Sequence, residues 1–404
     1  MLFEAGGVLN GPGPSACHVC GADAVALVER YERLQRVTSD CKPWPAGGRL
    51  GVCSACGTIQ KAFHRDWALE CADIYRQYEV YHQSGTGSEQ AVFDAVSGQP
   101  ASRSSRLLDV LAGTYLGPSG RLIDIGCGNG AFLRAASSRL ANWVLAGAEL
   151  DGRHRAAVEA IPGVEGLYTG KPDAFPGRFD AATMIHALEH MVEPMAFLQA
   201  VATRLNAGAR LVLEVPDVAA NPFDLLIVDH AVHFTQPILR GVVERSGYDV
   251  LFASDAVVAK ELTLVAQPVA PRACLAPRDD AGIRLASQWV AWLEATASAA
   301  RARSGPVAGP RPFGLFGTSI AATWLASEVG AAVGFFVDED PNRAGRSFMG
   351  RPVVRPGDVK EGSAVFVGLA PSVASRVAVR LRQGFPGVTW IEPPVLQGNR
   401  RSWT

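Results

Sequence analysis

No stretch of this chain stays apolar for the ~18 positions that a membrane-crossing helix needs. The opening residues, MLFEAGGVLNGPGPSA, lack the basic patch and apolar run of a secretory leader. There is no basic block either. The 38 Lys and Arg side chains stand against 39 Asp and Glu, for a net charge of −1, which argues against nucleic acid as the main partner. Eight cysteines in 404 residues are too few for a disulfide scaffold. No fixed-period repeat occurs, and the one biased tract is the Ala/Arg-rich end of a helix near residue 300. These absences set the expectation of a cytoplasmic protein that acts on small molecules, away from membranes and nucleic acid, with its oligomeric state open.

What is present is apolar material, 48% of the residues, in a chain longer than a single core supports. Residues 1–65 are dense in turn formers (GPGPSA, KPWPAGG, CSACG) and bury little, so they need a staple. Residues 66–270 alternate short apolar runs (RLIDIG, VLAGAEL, FDAATMI, ARLVLEV) with helical stretches, the pattern of a parallel α/β sheet. Residues 271–304 read as a linker, Pro271–Pro277, and a helix with Ile283, Ala286, Trp289, Val290 and Leu293 on one face. Residues 305–404 repeat the strand–turn–helix theme in a second, smaller α/β domain.

Four of the cysteines form two C-x-x-C turns, Cys17/Cys20 and Cys53/Cys56, with 32 residues between them. Such a turn sets both sulfurs on one side of a bend, and two of them complete a tetrahedron around Zn²⁺. A redox pair should open a helix within a βαβ unit, and neither turn does. The expected metal is therefore a structural zinc. Cys41, Cys71, Cys127 and Cys274 read as small apolar residues, and His18 as a solvated one.

The strand Arg121–Ile125 runs into Gly126, Gly128 and Gly130 ahead of a helical stretch. Glycines there let a ligand approach the backbone and the free N–H groups of a helix start. A second strand ends at Glu149, where a carboxylate can accept both hydroxyls of a ribose. A nicotinamide enzyme would show G-x-G-x-x-G, whereas here Asp124 precedes G-x-G-x-G. That arrangement resembles motif I of the class I S-adenosylmethionine-dependent methyltransferases. The resemblance implies a Rossmann-like fold, glycines along the methionine end of the cofactor and Glu149 on the ribose. It also implies Asp173 and Ala174 near the adenine, and a pocket closed by the segment from Met184 through His186 to His190. His186–His190 also matches H-x-x-E-H, an inverted zinc-peptidase pattern, which would need a further ligand downstream.

The order of parts, with Tyr75 and Tyr81-His82-Gln83-Ser84-Gly85, Glu214-Val215-Pro216 and Phe223–Thr235, is similar to the sugar C-methyltransferases. Those enzymes add a methyl branch to nucleotide-linked keto-deoxysugars, so the resemblance implies deoxysugar biosynthesis and a nucleotide sugar or related metabolite as acceptor. It places Tyr81, His82 and Ser84 near the cofactor and an acid–histidine pair, Asp229 and His230, at the chemistry. His230 would be the general base and Asp229 its orienting acid, with His233 as rival base. The departures are Ile227, Val228, Asp229 and His233 within the loop, and VTSDCKPWPAGG between the cysteine pairs. An O- or N-methyltransferase and a non-catalytic cofactor-binding scaffold stay open as alternatives.

Overall fold

A computed structural model describes residues 13–78, 91–93, 100–269, 278–305 and 311–395. The N-terminal part forms three antiparallel strands, β1 (Val25–Leu27), β2 (Leu50–Cys53) and β3 (Ile59–Lys61). The fourth strand of that sheet comes from far downstream: Val232–His233 pairs antiparallel with β3, His233 opposite Ile59. Helix α1 (Arg65–Arg76) follows. His64 caps it by accepting from the Trp67 N–H at 3.2 Å, and the buried residues Trp67, Ala68, Cys71 and Ile74 recur at helical spacing.

Helix α2 (Arg103–Leu111) leads into the large sheet, built from β4 (Gly120–Ile125), β5 (Trp143–Glu149), β6 (Val164–Thr169), β7 (Phe179–Ile185) and β8 (Leu205–Pro216). With β9 assigned to Val232–His233, the sheet is completed by β10 (Tyr248–Ser254) and β11 (Glu261–Pro268). Its order is β6-β5-β4-β7-β8-β11-β10. Neighbours from β6 to β8 are parallel, and β11 runs antiparallel to both β8 and β10. The central runs are apolar on both faces because helices cover both, so these strands read as continuous hydrophobic segments. This is a Rossmann-like mixed α/β arrangement.

Helix α3 (Ala131–Arg139) follows β4 directly, and α4 (Asp280–Ser304) connects to the last unit. On α4, Ala286, Trp289, Val290 and Leu293 are buried as their spacing predicts, but Ile283 is 44% exposed, on a different side of the helix start from Gly282, which packs on Gly57. Residues 270–277, including Cys274, lie outside the described residues. A second sheet, from Phe313–Phe316 to Thr389–Ile391, has six strands, five of them in parallel pairings.

The N-terminal part does not carry a separate core. Cys17, Val19, Cys53, Cys56 and Trp67 belong to the same buried apolar cluster as Ile123, Met184 and Leu213 of the large sheet. Gly57, at φ 81°, sits so close to α4 that a Cβ there would run into the Asp279 carbonyl, and the Asp279 N–H donates to Cys56 O at 2.7 Å. Among the described residues no helix is long and apolar enough to cross a membrane.

Candidate functional site

The four cysteine sulfurs converge. Cys17 Sγ lies 3.6 Å from Cys56 Sγ, Cys20 Sγ lies 3.6 Å from Cys53 Sγ, and all four fall within 4.8 Å of one another. Four thiolates about 2.3 Å from a tetrahedral ion would stand about 3.8 Å apart, so the cluster has the dimensions of a closed Zn²⁺ site. Left to themselves the sulfurs share protons: a hydrogen bond from Cys56 pulls the Cys17 thiol down to about 4 and pushes that of Cys56 up. His18, expected to be solvated, is buried instead. Its N–H donates to Gln60 Oε1 at 2.9 Å and its Nε2 meets Lys61 O at 2.9 Å, which fastens the first knuckle to β3.

The glycine loop lies at the carboxyl ends of β4 and β5, beside the point where the strand order turns back to β7. Ligands of open α/β sheets bind at that crevice. Gly126, Gly128 and Gly130 all take positive φ (78°, 56° and 87°), which side-chain-bearing residues rarely adopt. Glu149 closes the loop: its Oε1 accepts from the Gly128 N–H at 2.7 Å and its Oε2 from the Leu150 N–H at 2.9 Å. Burial raises its pKa. Asp124 is buried under the loop, accepts from Thr183 Oγ at 2.7 Å and is pushed by burial to about 7. Asp173 and Ala174 are exposed in a short turn after β6. The loop, Glu149 and Asp124 thus come together as expected, while Tyr81, His82 and Ser84 lie outside the described residues.

His186, expected in the segment that closes the cofactor pocket, follows β7 within a network of charged groups. It adopts a left-handed backbone, φ 51°. Its Nε2 lies 3.0 Å from Glu261 Oε2 and its Nδ1 3.3 Å from Glu189 Oε1. Arg103 enters the same network at 2.9 Å from Glu214 Oε1 and 3.0 Å from Glu261 Oε1. Burial alone would lower the pKa of His186, but the Glu261 and Glu189 carboxylates overcome it and hold the ring at about 10. Both ring nitrogens are committed to this buried ion network.

The acid–histidine pair is also differently composed. His230 does not pair with Asp229. Its Nδ1 lies 2.7 Å from Asp224 Oδ1, and the other oxygen, Oδ2, lies 2.6 Å from His233 Nδ1. Asp229 lies in a turn and His230 just after it, and the two side chains leave that turn toward different partners. The Asp229 carboxylate turns instead toward the N-terminal part, where it accepts from the Ser39 N–H at 2.9 Å and from the Ser39 hydroxyl. Its backbone carbonyl lies 2.9 Å from His190 Nδ1. Burial would lower the pKa of His230, but Asp224 overcomes that and raises it; burial and the nearby Lys61 ammonium lower His233 to about 4. The two histidines on one carboxylate hold Asp224 well below the usual range against its own burial.

The post-β7 segment meets this pair. The Ala231 N–H donates to Glu189 O at 2.7 Å, the His190 and His230 rings pack edge to face with centroids 4.7 Å apart, and Tyr75 Oη lies 2.8 Å from His190 Nδ1. The histidines of H-x-x-E-H therefore have separate partners. Three residues were missed by sequence reasoning. Asp224 stood inside the Phe223–Thr235 resemblance without a role of its own, Glu189 stood only in the Leu-Glu-His and peptidase patterns, and Lys61 ends a short strand, Ile59-Gln60-Lys61, in which nothing marks it for burial.

Residues 99–251 match the family described as Methyltransferase domain. The ubiquinone biosynthesis O-methyltransferase of Xanthomonas campestris pv. campestris is 33% identical over 132 residues, 30% of this chain and 53% of that protein. The chain thus spans about half the length of the curated relatives it matches. A S-adenosylmethionine-dependent methyltransferase from Clostridium acetobutylicum superposes with TM-score 0.35 at 9% identity over 41% of this chain and 90% of the other. Mitomycin 7-O-methyltransferase MmcR does so with TM-score 0.37 at 15% identity, over 41% and 54%. The match to a methyltransferase domain covers β4 through β8 and the segment that carries Asp224, His230 and His233.

Proposed function

We propose that this protein transfers a methyl group from S-adenosylmethionine to a carbon next to a carbonyl in a keto-deoxysugar or related small metabolite, with His230 as general base. The observation that carries this reading is the buried Asp224–His230 pair, which faces the post-β7 segment of the methyltransferase domain. Gly126–Gly130, Glu149 and Asp124 would hold the cofactor: the loop offers bare backbone, and Glu149 offers a buried carboxylate beside it. Bound there, the cofactor supplies a methyl already activated on a sulfonium. With Nδ1–H donated to Asp224, His230 presents an unprotonated Nε2 that can take the α-proton of the acceptor. The resulting imidazolium is stabilised by the Asp224 carboxylate, and the enolate carbon is the nucleophile. Cys17, Cys20, Cys53 and Cys56 would hold a structural Zn²⁺ that crosslinks the N-terminal part.

A second reading has support in the O-methyltransferase relative: the same His230 could take a hydroxyl proton, giving O-methylation. Carbon NMR of the product, with the methyl labelled, separates the two.

Cofactor binding is checked by calorimetry with the demethylated product. Glu149→Ala removes the carboxylate and frees the Gly128 N–H, with an expected cost of ~1–3 kcal/mol, and Gly128→Val closes the approach with a larger loss. Unchanged affinity in both variants would overturn the cofactor site.

The pH dependence has a definite sign. Asp224 favours the charged form of His230, so its pKa lies above the ordinary ~6.5, and the neutral base is lost as pH falls through that raised value. The acid limb of kcat/KM should therefore lie above ~6.5. In Asp224→Asn the burial that opposes the charge is left unbalanced, and the limb should move to lower pH. A limb that this substitution does not move would place the base elsewhere.

A further inference from the structure

We infer that Lys61, supplied by the four-cysteine part, is a positioning residue of the catalytic site: its ammonium locks His233 as the Nδ1–H tautomer and so reserves the Asp224 carboxylate for His230. The inference rests on the reading of His230 as the base. Lys61 is fully buried on β3, and β9, the next strand of the same sheet, carries His233 opposite Ile59, diagonal to Lys61. Its Nζ has three partners: Tyr31 Oη at 2.8 Å, Leu225 O at 2.5 Å and His233 Nε2 at 3.1 Å.

Counting protons fixes the assignment. The Tyr31 hydroxyl donates its single proton to Leu225 O at 2.6 Å, so Tyr31 Oη can only accept from Lys61. Leu225 O is an acceptor as well. If His233 Nε2 carried the proton, Nδ1 would be bare and would face Asp224 Oδ2, another acceptor, at 2.6 Å. His233 must therefore donate through Nδ1 and accept through Nε2, which gives Lys61 three acceptors for the three protons of an ammonium. While that proton occupies Nε2, His233 cannot become an imidazolium, because both nitrogens would then be donors. The Asp224 carboxylate keeps its charge for the His230 proton.

The charged groups around these residues agree. Lys61 faces Asp224 and Asp229, with Arg36, Tyr31 and Cys71 behind it. Burial lowers its pKa, opposed by Asp224, to about 7. His233 faces Lys61, Asp224 and His230, and His230 faces Asp224, Glu189, Asp229 and His190. Lys61 and Asp224 thus act on His233 in opposite directions, and the lysine decides which of two histidines on one carboxylate takes up a proton.

Histidine tautomers are read directly by long-range ¹H–¹⁵N correlation on the full-length, zinc-replete protein labelled at histidine, with His233 assigned by its loss in His233→Gln. The expected result is a His233 with protonated Nδ1 and bare Nε2 at pH 6, below the value of about 7 at which Lys61 gives up its proton. In Lys61→Met, His233 should gain an imidazolium signature with a midpoint at least tenfold higher in proton affinity constant, and the midpoint of His230 should fall. Lys61→Gln, which keeps a donor without the charge, should retain the tautomer. An Nε2–H or imidazolium His233 in the unaltered protein overturns the inference even where Lys61→Met fails to fold, and so does an unshifted His233 in folded Lys61→Met. The measurement needs no acceptor, so failure of the methylation reading, seen as full turnover by His230→Ala, is a separate result.

Discussion

His230→Ala is expected to lower methyl transfer by about 10²–10⁴-fold while cofactor affinity stays within error, because the proposed role of the imidazole is toward the acceptor and its contacts are to Asp224 and His190. Calorimetry with the demethylated product and single-turnover rates with a labelled methyl group separate the two quantities. Asp224→Asn should fall by a comparable factor. An asparagine at 224 offers one acceptor and one donor where two N–H groups point at it, so only one of His230 and His233 can keep its tautomer. Asp229→Asn, by contrast, should act through the Ser39 contact and loosen the loop rather than change the base. A larger kinetic loss for Asp229→Asn than for Asp224→Asn, with the fold intact by circular dichroism, would restore the sequence-derived pairing of Asp229 with His230.

Removing the metal is expected to have the second large effect, and the structure changes where it should be felt. Structural zinc sites of this kind contribute about 10–16 kcal/mol of apparent binding free energy to folding. In a separate module that loss would stay local. Here β3 holds β9, Lys61 holds His233 and Ser39 holds Asp229, so the loop that carries Asp229, His230 and His233 is built onto the four-cysteine part. Cys53→Ser, or a strong chelator, should abolish methyl transfer and expose the Val232 and His233 amides to hydrogen exchange. The strands from Gly120 to Ile185 do not pair with that part, and cofactor binding should persist in weakened form. Elemental analysis should return about one zinc per chain. A metal-free preparation with protected β9 amides and full turnover would refute both the metal and its coupling to catalysis.

These outcomes also separate what was readable in advance. Period and composition made the central sheet legible: the runs at 121–126, 144–150, 179–185 and 209–215 are apolar because both faces of a parallel sheet are covered, and each appears as a strand. The glycine loop and Glu149 were legible for a local reason as well. A backbone that needs positive φ at alternate residues leaves glycine as the default choice, and the next strand end sits beside it by the rules of the fold. The C-x-x-C turns announced themselves through the geometry a tetrahedral ion demands.

Partner choice among buried polar groups was not legible. Asp229 and Asp224 are both acids near His230 in sequence, and only the three-dimensional path of the chain turns one toward Ser39 and the other toward the two histidines. His186 stood in the expected pocket wall, and the partners around it, Glu189, Glu261 and Arg103, come from three separate elements. The sequence alone determined the elements and the cofactor loop, since those follow from steric limits on the backbone and from which faces are buried. The tertiary structure alone decided which carboxylate meets His230 and that a lysine from the N-terminal part reaches His233, because a hydrogen bond depends on where side chains from distant segments converge, and spacing along the chain does not encode that.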